Sequence, residues 1–315
     1  MLVLLRWQGR ALQFDLGRLG RTSPTDLLKI THVFVSHAHM DHFMGFDHLL
    51  RLFLHRDAAL HFYGPAEFLS RLAGRLAGYT WNLTEDYPLV IVGHEVREDG
   101  IRTAEFRAAT AFKAAAETTR PFDGVLIDEP ALRVETAILD HKIPCLAFAL
   151  TEKAHLNIDP TVLEALHLKP GRWLDRLKQA VRTNEPDDAS IVALVQENGV
   201  AAERSFPLGE LREKLVLESR GQKIGYVVDT LFNDANRLRI VSLVQNADIF
   251  YCEAPFLDED EDQATKRYHL TAKQAGILGR EAGVRRLEVF HFSPRYEGQA
   301  ERIYAEARAS FRGAG

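Results

Sequence analysis

Cysteine is nearly absent: Cys145 and Cys252 are the only two in 315 residues. Each stands in an apolar, strand-like run, the setting of a buried thiol in a reducing compartment, and no disulfide framework is expected. A targeting segment is lacking as well. Met1 to Leu5 is apolar, but Arg6 interrupts it and Gly9 and Asp15 follow, too short a stretch for a signal peptide or a membrane span. A soluble, cytoplasmic protein is therefore expected. Positive charge is not in excess either. The net charge of −5 gives no general attraction for polyanions, so any nucleic-acid contact needs a local basic patch. What the chain does have is 46% hydrophobic residues, enough for a large core, which excludes disorder.

The stretch Val33-Phe34-Val35-Ser36-His37-Ala38-His39-Met40-Asp41-His42 organises the rest. Its apolar, β-branched start reads as a buried strand. Three imidazoles and a carboxylate follow within six residues. In an extended segment residues two apart share a face. His37 and His39 are thus placed to grip one ion, while Asp41 and His42, where the chain turns into a helix, reach a second. Imidazole with carboxylate suits zinc. Two ions about 3.5–4 Å apart clamp the attacking and leaving oxygens of a hydrolysis. The expected cofactor is two Zn2+ per chain, with Mn2+ and Fe2+ as alternatives.

Around this motif the chain alternates strands and helices, an α/β pattern. Residues 2–16 read as a hairpin with its turn at Gln8-Gly9-Arg10, and Phe43 to Leu54 as one helix burying Phe46, Leu49, Leu50 and Phe53. Later strands are expected at 60–63, 90–92, 104–108, 124–127, 131–139, 143–150, 223–229, 247–253 and 287–291. Residues 151–222 change character and read as an arm-like excursion from a single domain spanning 1–315. Within it, the helix from about Arg172 to Arg182 sets Lys169, Arg172 and Arg176 close together over an apolar stripe of Trp173, Leu174 and Leu177, with Lys178 among its cations.

Three further candidates each end a hydrophobic run: His141, Asp229 and His291. Ligands in open α/β sheets gather beyond the carboxyl ends of strands. With the first motif they make five histidines and two aspartates, enough for two ions if Asp229 bridges. His269 stands apart, just before Thr271-Ala-Lys-Gln274, a capping-box signature. A helix N-terminus favours a phosphate, so a proton donor there would face a leaving oxygen. The other seven histidines (His32, His48, His55, His61, His94, His155, His167) share no spacing with the site and read as structural. The acidic run 258–262 reads as a solvated loop, because it lacks the glycine and the alternation of a calcium loop.

HxHxDH followed by His, Asp and His resembles the metallo-β-lactamase superfamily, and more narrowly the ribonuclease Z family of tRNA 3′-processing endonucleases. The narrower resemblance rests on Phe62-Tyr63-Gly64-Pro65, Leu139-Asp140-His141-Lys142-Ile143-Pro144, Asp229-Thr230, His269-Leu-Thr-Ala272 and His291-Phe-Ser-Pro-Arg295-Tyr296. It implies an αβ/βα four-layer sandwich with a protruding arm. It also implies His37, His39 and His141 on one zinc, Asp41, His42 and His291 on the other, and Asp229 between them. A metal-activated hydroxide would attack, Asp41 would assist its deprotonation and His269 would protonate the leaving ribose oxygen. Thr271, Ser293 and Arg295 are the implied phosphate contacts, Arg172, Arg176 and Lys178 the arm contacts to precursor tRNA, and a homodimer the implied assembly. Two segments depart from the family pattern: Asp15-Leu16-Gly17-Arg18-Leu19-Gly20 near the start, and Lys169-Pro170-Gly171-Arg172 in the arm. The rival reading is a hydrolase of a small ester or phosphodiester, such as a thioester, a lactone or a cyclic nucleotide. It needs the metals but not the basic arm. Diiron redox relatives carry Glu where His39 stands, which argues against oxygen chemistry.

Overall fold

The structure, a computed structural model, describes residues 1–5, 8–115, 117–153, 155–197 and 200–313. Arg6 and Trp7, expected in the first strand, lie outside the described residues. The chain divides into two compact units, the first made of Met1–Val125, Glu135–Ala149 and Ile224–Gly315, the second of Leu126–Val134 and Leu150–Lys223.

The first unit opens with β1 (Leu2–Leu5) and β2 (Arg10–Phe14), then α1 (Pro24–Leu27), β3 (Ile30–Phe34), α2 (Met40–Phe43), α3 (Phe46–Phe53), β4 (Ala59–Gly64) and α4 (Phe68–Ala77). β5 (Val90–Arg97), β6 (Gly100–Arg107) and β7 (Thr118–Arg120) complete a sheet in sequence order. β2 to β5 run parallel and the outer pairs antiparallel. Parallel neighbours put their carboxyl ends at one edge of the sheet, which is where the histidine motif after β3 emerges. Alternation sorts the side chains. Leu60 and Phe62 of β4 join Phe46, Leu49 and Leu50 of α3 and Leu69 and Leu72 of α4 in one core, while Phe14 and Phe34 turn to the opposite face.

The second sheet starts with β8 (Val125–Asp128), β9 (Leu132–Asp140) and β10 (Pro144–Glu152). The chain then passes through β11 (His155–Ile158), α5 (Pro160–Ala165), β12 (Leu168–Lys169), α6 (Trp173–Arg182), β13 (Ser190–Glu197), β14 (Val200–Pro207), α7 (Leu208–Leu215) and β15 (Val216–Ser219). It returns as β16 (Lys223–Val227), α8 (Asp234–Val244), β17 (Ile249–Glu253), α9 (Glu261–Arg267), α10 (Ala272–Glu281), β18 (Leu287–Phe290) and α11 (Ala300–Arg312). The sheet order is β18-β17-β16-β10-β9-β8, with β16, β17 and β18 parallel. Ile240 and Val244 of α8, Ala275 and Leu278 of α10 and Ile303 of α11 pack with Val227, Phe250 and Val289. Phe148 of β10 meets Phe14 and Phe34 at ring distances of 5.7 and 5.6 Å, so the two sheets face each other through aromatic side chains. The layers of this unit are helix, sheet, sheet, helix, the four-layer sandwich expected from the resemblance.

The expected helix over Phe43–Leu54 is in fact two, broken at Met44 and Gly45. A Cβ on Gly45 would lie 2.5 Å from the Gly17 carbonyl oxygen, and the Gly45 N–H donates to the Leu16 carbonyl at 2.7 Å. The helix stops because its backbone is pressed onto that loop.

The second unit has a core of its own. Trp173 and Leu177 of α6 pack with Leu211 and Leu215 of α7 and with Ile191 and Ala193 of β13. Hence the Trp173–Leu177 stripe is its interior. The unit carries fourteen carboxylates against twelve Lys and Arg. No helix among the described residues is long and apolar enough to cross a membrane.

Candidate metal centre

Four strand ends deliver the centre. The β3–α2 loop brings His37 and His39, the first turn of α2 Asp41 and His42, the β9–β10 turn His141, and the residues after β16 and β18 Asp229 and His291. Asp229 lies in the middle. Its Oδ2 sits 3.3 Å from His37 Nε2, 3.4 Å from His42 Nε2 and 3.5 Å from His141 Nε2, and its Oδ1 is 3.2 Å from His291 Nδ1. Asp41, 66% exposed, closes the outer side, with Oδ2 at 3.4 Å from His42 Nε2 and 3.6 Å from His291 Nε2. Three donor groups result: His37, His39, His141 and Asp229; Asp229, Glu253, His269 and His291; and Asp41, His42 and His291, the first two sharing Asp229 and the last two His291.

Buried polar atoms need partners. Here His37 Nε2, His42 Nε2 and Asp229 Oδ1 are buried without a hydrogen bond, the two nitrogens facing the other Asp229 oxygen. Imidazole nitrogens converging on a buried carboxylate are a donor set that fits a divalent cation. The far side of three of these rings is tied. His42 Nδ1 is 2.9 Å from Asp15 Oδ2, His141 Nδ1 is 2.7 Å from the Tyr268 carbonyl and His37 Nδ1 is 3.1 Å from Ser36 Oγ. With Nδ1 held in this way, Nε2 is the nitrogen left for a metal. Burial drives the His37 imidazole down to about 3, which keeps it neutral. Burial also works against charge on His42, but the carboxylates of Asp15 and Asp229 outweigh it and raise that ring to about 11.

Two buried acids escaped sequence reasoning. Asp15 accepts from the Ser36 N–H (2.7 Å), the Ser36 hydroxyl (3.0 Å) and the Tyr226 hydroxyl (3.0 Å) besides facing His42. Glu253, at the end of β17, takes the N–H groups of Thr230 (3.0 Å) and Leu270 (3.1 Å) on one oxygen. Its other oxygen faces His269 Nδ1 at 2.8 Å and His291 Nδ1 at 3.4 Å. The available signal was position alone, because each ends an apolar strand as Asp229 does. Asn236 also went unnoticed. Its amide donates to the Asp140 and Leu231 carbonyls and to Thr230 Oγ1, fixing the turns that carry His141 and Asp229.

His269 lies beside the centre, with Nδ1 at 3.8 Å from Asp229 Oδ1 and its ring 5.1 Å from that of His141. Burial opposes its charge, and the Glu253 carboxylate more than compensates, raising its pKa. The other expected contact residues fare differently. Thr271 is fully buried, and its Oγ accepts from the Gln274 N–H while Gln274 accepts from the Thr271 N–H, so it is a helix cap rather than a phosphate contact. Ser293 accepts from the Arg295 N–H as a local cap. Arg295 is bound to Asp260 at 2.6 Å. Arg176 is held bidentately by Glu185 at 2.8 and 2.6 Å, an exposed pair at the surface of the second unit. Arg172 is exposed and Lys178 partly so.

The comparisons follow this geometry. A family model described as a beta-lactamase superfamily domain matches residues 11–134. The ribonuclease Z of Deinococcus radiodurans is 34% identical over 283 residues, 89% of this chain and 81% of that protein. That of Bacillus mycoides is 30% identical over 321 residues, 98% and 87% of the two. The chain belongs to the ribonuclease Z family. This ribonuclease Z relative also shares its fold with two solved structures. Human tRNase Z, short form, superposes with a TM-score of 0.51 at 18% identity over 94% of this chain and 87% of that one. The metallo-beta-lactamase fold protein YhfI from Bacillus subtilis does so with a TM-score of 0.54 at 15% identity over 96% and 82%.

Proposed function

We propose that this protein is a binuclear-zinc endoribonuclease that cuts precursor tRNA at its 3′ end. The observation that carries the reading is the His269–Glu253 pair beside Asp229. Nδ1 of His269 is engaged by a buried carboxylate, which orients the ring and leaves Nε2 to hand a proton to a departing oxygen. A ribose alkoxide is a poor leaving group and needs that proton.

In this reading His37, His39 and His141 would hold one ion, Asp41, His42 and His291 the other, and Asp229 would serve both. Bound divalent ions supply a water of lowered pKa and neutralise charge gathering on the phosphate. Asp15 and Ser36 keep the rings of His42 and His37 turned inward, and Asp41, exposed at the rim, is placed to take a proton from the attacking water. Family membership supports RNA as the substrate.

The test is to load the protein with zinc and offer it 3′-extended tRNA and bis-p-nitrophenyl phosphate in parallel. Cleavage of the tRNA at a single 3′ position is the expected result. Hydrolysis of the small ester with the tRNA left intact would replace this reading by that of a small-phosphodiester hydrolase, which the acidic second unit favours.

A further inference from the structure

The loops that carry the first three histidines also enclose a cleft of about 400 Å³ that metal chemistry does not use. His37 and His39 form one wall, Pro65 and Phe68 a second, and Ile143 and Pro144 a third. The walls are firm. A Cβ on Gly64 would lie 2.2 Å from the Phe68 ring, so Phe68 is pressed flat onto the end of β4. Ile143 follows His141 by two residues, in a turn closed by the His141 N–H on the Ile143 carbonyl at 3.0 Å. That turn holds a large apolar side chain 41% exposed.

One charged pair stands at the rim. Glu67 begins α4 in the left-handed region (φ 70°) and caps nothing with its side chain. Its carboxylate instead pairs with Arg71 at 2.5 Å, an exposed contact. Exposed ion pairs of this kind are weak, so an incoming anion can take the guanidinium from Glu67.

Flat apolar walls, a guanidinium at the mouth and direct continuity with two metal ligands describe one occupant. We propose that the cleft receives the base of a nucleotide flanking the scissile phosphate, that Arg71 binds that nucleotide's other phosphate, and that Glu67 competes with the phosphate for Arg71. The inference rests on the endoribonuclease reading above and names which part of the substrate this side of the site selects.

The test is steady-state cleavage of a 3′-extended RNA by the zinc-loaded protein and three variants. Arg71→Ala and Ile143→Ala should each raise KM about tenfold with kcat unchanged, the signature of binding lost equally from ground and transition states. Glu67→Gln should lower KM severalfold by freeing Arg71, a change of opposite sign that collapse of the cleft cannot produce. RNAs made abasic at each flanking position in turn should include one that wild type and Ile143→Ala cut with the same KM. Wild-type KM in all three variants, or losses confined to kcat, would overturn the assignment while leaving the endoribonuclease reading intact. A wild-type protein that cuts no RNA would overturn the reading itself and this inference with it.

Discussion

Replacing Asp15 by Asn tests whether the centre depends on what lies behind its ligands. The buried Asp15 carboxylate accepts four hydrogen bonds, three of them on Oδ2, from His42, Ser36 and Tyr226. Burial alone would push its pKa up, yet the His42 and Ser36 bonds hold it below the ordinary carboxylate value, so it acts as an anion. An asparagine has one acceptor oxygen. If that oxygen keeps the Ser36 N–H, its NH2 faces three donors. The two hydroxyls can rotate and accept, but the His42 ring can accept at Nδ1 only by moving its proton to Nε2, the atom that faces Asp229 at 3.4 Å. The lone pair offered to a metal is then gone. Loss of such an outer partner costs about 10–100-fold in metal affinity, or about 1.4–2.8 kcal/mol, and an unpaired buried donor adds about 1–3 kcal/mol of instability. A zinc titration against a chromophoric chelator should show one weakened step, for the ion held by Asp41, His42 and His291, and one step close to wild type. Tyr226→Phe, which leaves the acceptor in place, should keep both steps. Two wild-type steps in Asp15→Asn would refute the claim that Asp15 sets the His42 tautomer.

Elemental analysis should find two divalent ions per chain after zinc repletion, and Asp229→Ala, which removes the carboxylate that faces His37, His42, His141 and His291, should lower both; fewer than one ion in wild type would end the binuclear proposal. His269→Ala should reduce RNA turnover by roughly 10²–10⁴ at unchanged metal content, whereas loss of an ion would make His269 a ligand. His32, His61 and His94 stack at ring distances of 4.8 and 5.4 Å on the first sheet, near Arg10, Glu105 and Arg120. Burial lowers His94 to about 3, so between about 3 and 6.5 the unfolded chain binds a proton there that the fold refuses, and stability falls as pH drops through that window. Urea unfolding of wild type and His94→Asn should diverge by about 2–3 kcal/mol between pH 7.5 and 4.5, the variant being less acid-sensitive; a pH-independent difference would show that His94 titrates normally. Removing Arg172 and Lys178 together should flatten the salt dependence of tRNA binding by up to about 0.9 per lost contact; a wild-type slope in the double variant would exclude an arm contact through these two residues.

Much of the donor set was legible because metal ligands at strand ends leave a double mark, a hydrophobic run and then an imidazole or carboxylate. His37, His39 and His42 add a tight spacing that few other structures need. Asp15 and Glu253 carry the first mark without the second, and a single acid at a turn looks like any turn acid. Thr271 shows the opposite error. Residue type and motif place suggested phosphate, but its buried hydroxyl caps the helix by accepting from the Gln274 N–H. Arg295 and Arg176 pair at the surface with Asp260 and Glu185, 35 and nine residues away, beyond what helical spacing reports. Likewise the 43–54 helix broke for a tertiary reason, the approach of Leu16 and Gly17, which hydrophobic periodicity does not encode.

Asp15, Asp229 and His291 share a left-handed backbone, with φ of 53°, 49° and 63°. Such geometry costs L-residues roughly 1–2 kcal/mol each, so three of the residues that gather charge are also held in a costly backbone. Selection for thermal robustness alone would relax them, most readily to glycine, and in doing so would erase the donors. The centre therefore marks where a stability–activity trade-off acts on this chain: a library screened only for resistance to heat should drift toward well-folded, inert proteins, and it should do so first at the ends of β2, β16 and β18.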